Sequence, residues 1–198
     1  MGLIKKPPPC VRFAAAFSHE DRILKLVWDR LESHWGKIAT LSPAFDFIES
    51  PYYHKTMYLA PANDTPRILR KQMAVFADPY DPQSLALDKV DSNRWEEAWT
   101  AELLPADALV RENPLTKRLV NIDPGYLSMT KLVLASTKNR EHRIYLQGGI
   151  YAEVTLAFRD QAWMSMPWTY ADYQRSDVLE FLIQARKGFM QSVRGANG

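Results

Sequence analysis

Cysteine is almost absent: the chain of 198 residues carries Cys10 alone. An internal disulfide and a cysteine-based zinc site are thereby excluded. Cys10 reads as a small hydrophobe at the start of a strand, and the lack of disulfides points to a reducing, cytoplasmic setting. Long apolar runs are missing as well. Nothing approaches the roughly 20 residues of a membrane helix. The stretch from Phe13 to Phe17 is too short for a signal core, and Glu20 and Asp21 follow it. Lys6 stands where a myristoylation signal needs Ser or Thr. The chain is therefore expected to be soluble, unprocessed and cytoplasmic, with no membrane partner.

Charge of one sign is also lacking. Lys and Arg total 25 against 23 Asp and Glu, a formal net charge of +2. Such a balance does not demand nucleic acid, and it leaves room for a local basic patch. Catalytic and nucleotide motifs are absent: there is no Walker A, GxGxxG, GxSxG, HExxH or EF-hand pattern. Gly148-Gly149 reads as a hairpin turn, not a phosphate cradle. No cofactor is specified.

What is present is ordinary globular material, 46% hydrophobic and 12% aromatic. That content excludes a disordered chain, and the length suits one domain with a sizeable core. Residues 1–10, with Lys5, Lys6 and a proline run, read as a flexible arm; residues 11–194 read as a single α+β domain. Val11 to Phe17 is a buried strand. Ser18 offers a helix cap with Asp21 three residues on. Leu24, Val27, Trp28, Leu31 and Trp35 then form one helical face, which Gly36 ends. A return strand is expected within 38–47, a proline-rich loop at 50–66 with a short strand at 56–59, and a strand at 68–76. Residues 84–103 read as one helix or two, with Asp91-Ser92-Asn93 as the interruption, and 105–116 as a loop. Leu119 to Ile122 is an expected strand, turned by Asp123-Pro124-Gly125. Residues 129–136 fit a short helix or a buried strand. Arg143 to Phe158 is a hairpin about Gln147-Gly148-Gly149. Ser176 or Asp177 caps a last helix whose face is Val178, Phe181, Leu182, Ala185 and Phe189. The order β-α-β-β-α-β suggests a ferredoxin-like core with a mainly antiparallel sheet and helices on one face. A C-terminal hairpin and helix extend it.

Charge is uneven along this plan. The acids Asp78, Asp81, Asp88, Asp91, Glu96, Glu97, Glu102, Asp107 and Glu112 read as a solvated helix face, with a partner-binding surface as the alternative. Just beyond them, Arg111, Lys117, Arg118, Lys131, Lys138, Arg140 and Arg143 outnumber the acids. Polar and aromatic candidates gather between residues 121 and 173. Strand alternation places Tyr151, Glu153 and Thr155 on one face, with Tyr145 across the hairpin. Asp123, His142 and Glu153 are the candidates for acid–base work or for a divalent ion. Lys131, Lys138 and Arg143 would hold an anion. Tyr145, Tyr151, Trp168, Tyr170 and Tyr173 would stack bases, and Asp172 lies among them. Each has a plainer reading: a turn-forming Asp123, a structural His142, a Glu153 paired with a cross-strand base, solvated lysines and core aromatics.

Asn121-Ile122-Asp123-Pro124-Gly125-Tyr126-Leu127 resembles the signature of a bacterial family known as domain of unknown function 4416. The likeness continues through Lys131 to Lys138, His142 to Leu146, Gly149 to Leu156 and Trp168 to Tyr173. It is looser at Phe45-Asp46-Phe47, Tyr52-Tyr53 and Lys89 with Asn93. Ser92 replaces an expected Thr there, and Pro79 to Gln83 looks lengthened. The resemblance implies a small, single-domain bacterial cytoplasmic protein and no established activity. A GTP-binding label attached to similar sequences would need a P-loop, which the chain lacks. Three readings follow: a protein or enzyme that binds a nucleotide, RNA or other phosphate-bearing ligand; a non-catalytic interaction module; and a metal-dependent hydrolase using Asp123, His142, Glu153 or Asp172.

Overall fold

The computed structural model describes residues 3–47, 57, 68–104 and 118–195. The strand expected at 56–59 and the loops at 50–66 and 105–116 lie almost wholly outside them; Met57 is described, buried and bridged to Arg118. Residues 3–9 are exposed and carry neither helix nor strand. The chain then forms β1 (Cys10–Ser18), α1 (Asp21–Trp35), β2 (Ile38–Leu41), β3 (Phe45–Asp46), β4 (Arg70–Pro79) and α2 (Leu85–Leu103). It continues with β5 (Asn121–Ser128), β6 (Lys131–Ser136), β7 (Ile144–Gln147), β8 (Ile150–Arg159), β9 (Ala162–Ser165) and α3 (Ser176–Gly195). The strands form one sheet in the order β2-β4-β1-β5-β6-β8-β7, with β3 beside β4 and β9 beside β8. All these pairs are antiparallel.

Alternation along β1 explains why the sheet is covered on both sides. Phe13, Ala15 and Phe17 join the cluster of Leu127, Leu132 and Leu134 with Phe181, Leu182 and Phe189 of α3. Ala14 and Ala16 join Ala74, Phe76 and Ile122 with Leu24, Val27, Trp28 and Leu31 of α1. α2 lies on that same second side, through Trp99 and through Leu85 and Ala86 against Val133 and Ala135. The expectation of helices on one face is therefore corrected: a central strand that is apolar at both parities needs a cover on each face, and α3 supplies the second one.

Local readings also shift. α1 ends at Gly36, whose φ is 89°, as expected. Its first turn is capped by Glu20 without a side-chain bond. Ser18 instead donates to the Leu119 carbonyl at 2.8 Å and accepts from the Glu20 amide. Residues 131–136 are a strand. The hairpin turns at Gly148 and Gly149, both at positive φ. A further turn at Asp160 and Gln161, also at positive φ, leads into β9.

α2 is unbroken across Asp91-Ser92-Asn93, and its buried stripe is polar. Asp88, Lys89, Ser92, Glu96 and Thr100 face inward at helical spacing with Leu85 and Trp99. The solvated acidic face is thus corrected for Asp88 and Glu96. Asp88 accepts from Arg12 Nε at 2.9 Å and from the Tyr80 hydroxyl at 2.8 Å. Glu96 pairs with Arg118. Asp78, Asp81, Glu97 and Glu102 are exposed, whereas Asp107 and Glu112 lie outside the described residues.

The expected turn at Asp123-Pro124-Gly125 does not form, because β5 runs straight through it. β6 pairs with β5 only from Gly125 onward, where Gly125 stands opposite Leu134. Before that point two side chains of α2 act as the missing neighbour. The Ile122 amide donates to Glu96 Oε1 at 2.6 Å, and Lys89 Nζ donates to the Ile122 carbonyl at 2.7 Å. The two-residue period turns Pro124 to the same side as Ile122. No described strand pairs there, so its missing N–H breaks no ladder bond. At Gly125 the strands close tightly: a Cβ would stand 2.3 Å from the Val133 carbonyl oxygen.

Two glycine substitutions test this packing by urea unfolding. Gly125→Ala should lower stability by about 1–3 kcal/mol, since the obstructing atom is backbone. A Cβ at Gly188 in α3 meets nothing within 4 Å. Gly188→Ala should therefore raise stability by about 0.5–1 kcal/mol. A neutral Gly125→Ala would contradict the close approach of β5 and β6.

Candidate functional site

The hairpin and the loop after β9 assemble a first cluster. Glu153 stands opposite Leu134, Tyr151 opposite Ser136 and Tyr145 opposite Tyr151. This register places all three candidates on the α3 side of the sheet. Glu153 is buried and accepts from Arg143 Nε at 2.6 Å, with His142 Nε2 at 3.1 Å. The Arg143 guanidinium also donates to Ser136 Oγ at 2.8 Å and to the Lys138 carbonyl at 2.9 Å. Burial opposes the charge on Arg143, but Glu153 and the Tyr170 hydroxyl outweigh it and raise its pKa. The guanidinium therefore stays a cation.

The aromatic loop is pinned onto β8 from above. Trp168 Nε1 donates to the Val154 carbonyl at 2.9 Å, and Thr169 Oγ1 donates to the Thr155 carbonyl at 2.6 Å. His142 stacks on Trp168 with centroids 4.9 Å apart and planes within 6°. Tyr145 meets Tyr151 edge to face at 5.4 Å. Tyr145 and Tyr170 remain 57% and 53% exposed. A buried carboxylate, a fixed guanidinium and a stacked imidazole thus brace a surface of open rings.

A second cluster lies further along the same face. Lys71 of β4 is buried and paired with Asp172, which sits on the single turn Ala171–Gln174. Its ammonium lies 3.6 Å from the Tyr173 ring centroid and 4.7 Å from that of Phe17. Burial lowers the Lys71 pKa, and Asp172 and Asp123 pull against that shift. Asp123 pairs with Lys89 at 3.2 Å.

The candidates read from sequence are therefore divided. His142, Arg143, Glu153, Trp168 and Tyr170 come together, with Tyr145 and Tyr151 beside them. Asp172 and Tyr173 belong to Lys71, and Asp123 is engaged by Lys89. Lys131 opens β6 opposite Ala157, exposed, at the parity of Val133 and so on the other face from Glu153. Lys138 is exposed beyond the end of β6. Among the described residues, no three His, Cys, Asp or Glu side chains are grouped to hold a metal ion. Cys10 gives its thiol hydrogen to the Tyr80 carbonyl, and burial pushes its pKa up to about 11.

Lys71 was missed because its partner is distant in the chain. A signal did exist: it shares strand parity with Met73 and Val75, which face the core. A cation at a core parity demands a buried counter-charge.

Removing one partner from the first cluster separates bracing from mere surface charge. Glu153→Ala leaves Arg143 buried without its carboxylate, and it should cost about 3–5 kcal/mol in urea unfolding. Glu153→Gln keeps an acceptor and should cost clearly less. Equal losses in the two variants would show that the ion pair does not organise the cluster.

Among family models, that of a domain of unknown function, DUF4416, matches residues 8–189. No curated protein and no solved structure shows a significant match to the chain.

Proposed function

The chain belongs to the DUF4416 family, and within it we propose that this protein binds a base-bearing phosphate ligand, a nucleotide or single-stranded RNA, on the ring surface around Tyr145. The observation that carries this reading is the set of exposed rings, Tyr145 and Tyr170, held on one face with Tyr151 by a buried scaffold. Stacking on such rings suits any base. Lys138 and Arg140, both exposed in the loop before β7, supply positive charge for phosphates. Rigid bracing by Glu153, Arg143, His142 and Trp168 limits the ordering entropy lost on binding.

A second reading, the interaction module, has its own support. Ile144 is 73% exposed, Leu146 39% and Met164 50%, all on the outermost strands β7 and β9. An apolar, uncovered sheet edge is a ready template for another chain. The metal-dependent hydrolase gains no support from the described carboxylates. The stretch from β1 to β5, leaving aside the short β3, has the pattern of a ferredoxin-like split βαβ, supported by the order β2-β4-β1-β5 with α1 and α2 on one side. No described helix is long and apolar enough to cross a membrane. The lone buried thiol supports a cytoplasmic location.

The test is a fluorescence titration with mononucleotides and with a short uridine-rich RNA at low salt, with Tyr145→Ala and Tyr170→Ala alongside. Each substitution should weaken binding roughly fivefold or more, the value of one lost stacking contact. Binding of mononucleotides alone would select the nucleotide, and RNA alone the strand. No binding of either at millimolar ligand, or binding unaffected by both substitutions, would overturn the reading. Self-association lost in Ile144→Lys would favour the interaction module.

A further inference from the structure

We infer that Lys71 is an amine nucleophile in a second, separate site, one that takes a small carbonyl compound between β4, β5 and the turn at residues 171–174. Lys71 and Asn121 flank Phe17 in register, one on each neighbouring strand. Lys71 Nζ lies over the ring of Phe17, whose neighbour on the other adjacent strand is Asn121. Asn121 and Asp123 share the parity of Leu127, so both stand on the α3 side with Lys71. Asn121 is 5% exposed, and its Nδ2 finds no acceptor among the described residues. A buried donor without an acceptor is costly, and a carbonyl oxygen beside Lys71 would satisfy it. Asp172 is the proton carrier: it already touches the amine. Asp123, on the same face, has a side chain 25% exposed against 1% for Lys71.

The chemistry balances without a co-reactant. Lys71 passes a proton to Asp172, and the neutral amine bonds to the carbonyl carbon. Both remaining amine hydrogens end on the carbonyl oxygen, one of them relayed by Asp172. That oxygen leaves as water, and an imine remains on Lys71. Desolvation favours the neutral amine, the direction of the Lys71 pKa shift. The Phe17 and Tyr173 rings shield the imine from hydrolysis. Nothing in this site uses Tyr145, Glu153 or the exposed rings, so it stands or falls apart from nucleotide binding.

Trapping tests it directly. The full chain is incubated with pyruvate, glyoxylate or glyceraldehyde and sodium cyanoborohydride, then digested and mapped by mass spectrometry. With at least one carbonyl, Lys71 should be labelled about tenfold above exposed lysines such as Lys25 and Lys187, as expected for a desolvated amine with a proton acceptor. In urea that preference should vanish. Lys71→Arg keeps the cation and should lose the specific label; if it does not fold, the wild-type preference and its loss in urea decide alone. Lys71 unlabelled in the folded protein by all three compounds, while Lys25 and Lys187 react, would overturn the assignment.

Discussion

Ile122 sends its backbone hydrogen bonds not to a neighbouring strand but to two side chains of α2, and much of the molecule is arranged to keep that possible. Every buried amide and carbonyl needs a partner. Where β6 parts from β5, Glu96 takes the Ile122 amide and Lys89 gives to its carbonyl. Both ions are deep in the protein, and neither could be there alone. Burial raises the Glu96 pKa, with Lys89 and Arg118 opposing it. Asp123 steadies Lys89 from the other side. An uncompensated charge at either position would cost several kcal/mol by common experience with buried pairs, on the order of 3–5.

This substitution of a helix for a strand explains several features at once. α2 must bury polar residues, so its inward face carries Asp88, Lys89, Ser92, Glu96 and Thr100 in place of leucines. Pro124 is tolerated inside a sheet because its side of β5 has no ladder to break. Asn121 and Asp123 come to lie on the α3 side near Lys71, and the sheet re-forms only at Gly125, where the strands touch too closely for any side chain. Beyond β6 the hairpin then carries its own polar hub at Glu153. The α3 side of the sheet therefore holds two polar clusters with their own counter-charges, and the inward face of α2 adds buried polar pairs on the other side.

Much of the fold was legible in the sequence because its signals are local. The apolar face of α1, the Gly36 stop, the Gly148-Gly149 hairpin and the periodic face of α3 all declare themselves within a dozen residues. The failures share one cause, which is that long-range partners overrode local chemistry. Asp123-Pro124-Gly125 reads as a turn until Glu96 and Lys89 are known to hold Ile122 extended. The acids of α2 read as solvated until Arg12, Tyr80 and Arg118 are brought to Asp88 and Glu96. The apolar stripe of α2 is only partial because most of its buried positions are polar. In the site, pairs within the hairpin such as Glu153 with Arg143 could be anticipated from alternation. Lys71 with Asp172 could not, since the two meet only after the sheet and the loop beyond β9 are in place.

Amide hydrogen exchange at Ile122 tests the central claim most directly. If Glu96 stands in for a strand, the Ile122 amide should be protected as strongly as the paired amides of β1. It should stay protected in Glu96→Gln, which retains a side-chain acceptor, and exchange at least about tenfold faster in Glu96→Ala, the mark of a local opening rather than global unfolding. An Ile122 amide that exchanges freely in the native protein, or that is equally protected without the Glu96 side chain, would contradict the account.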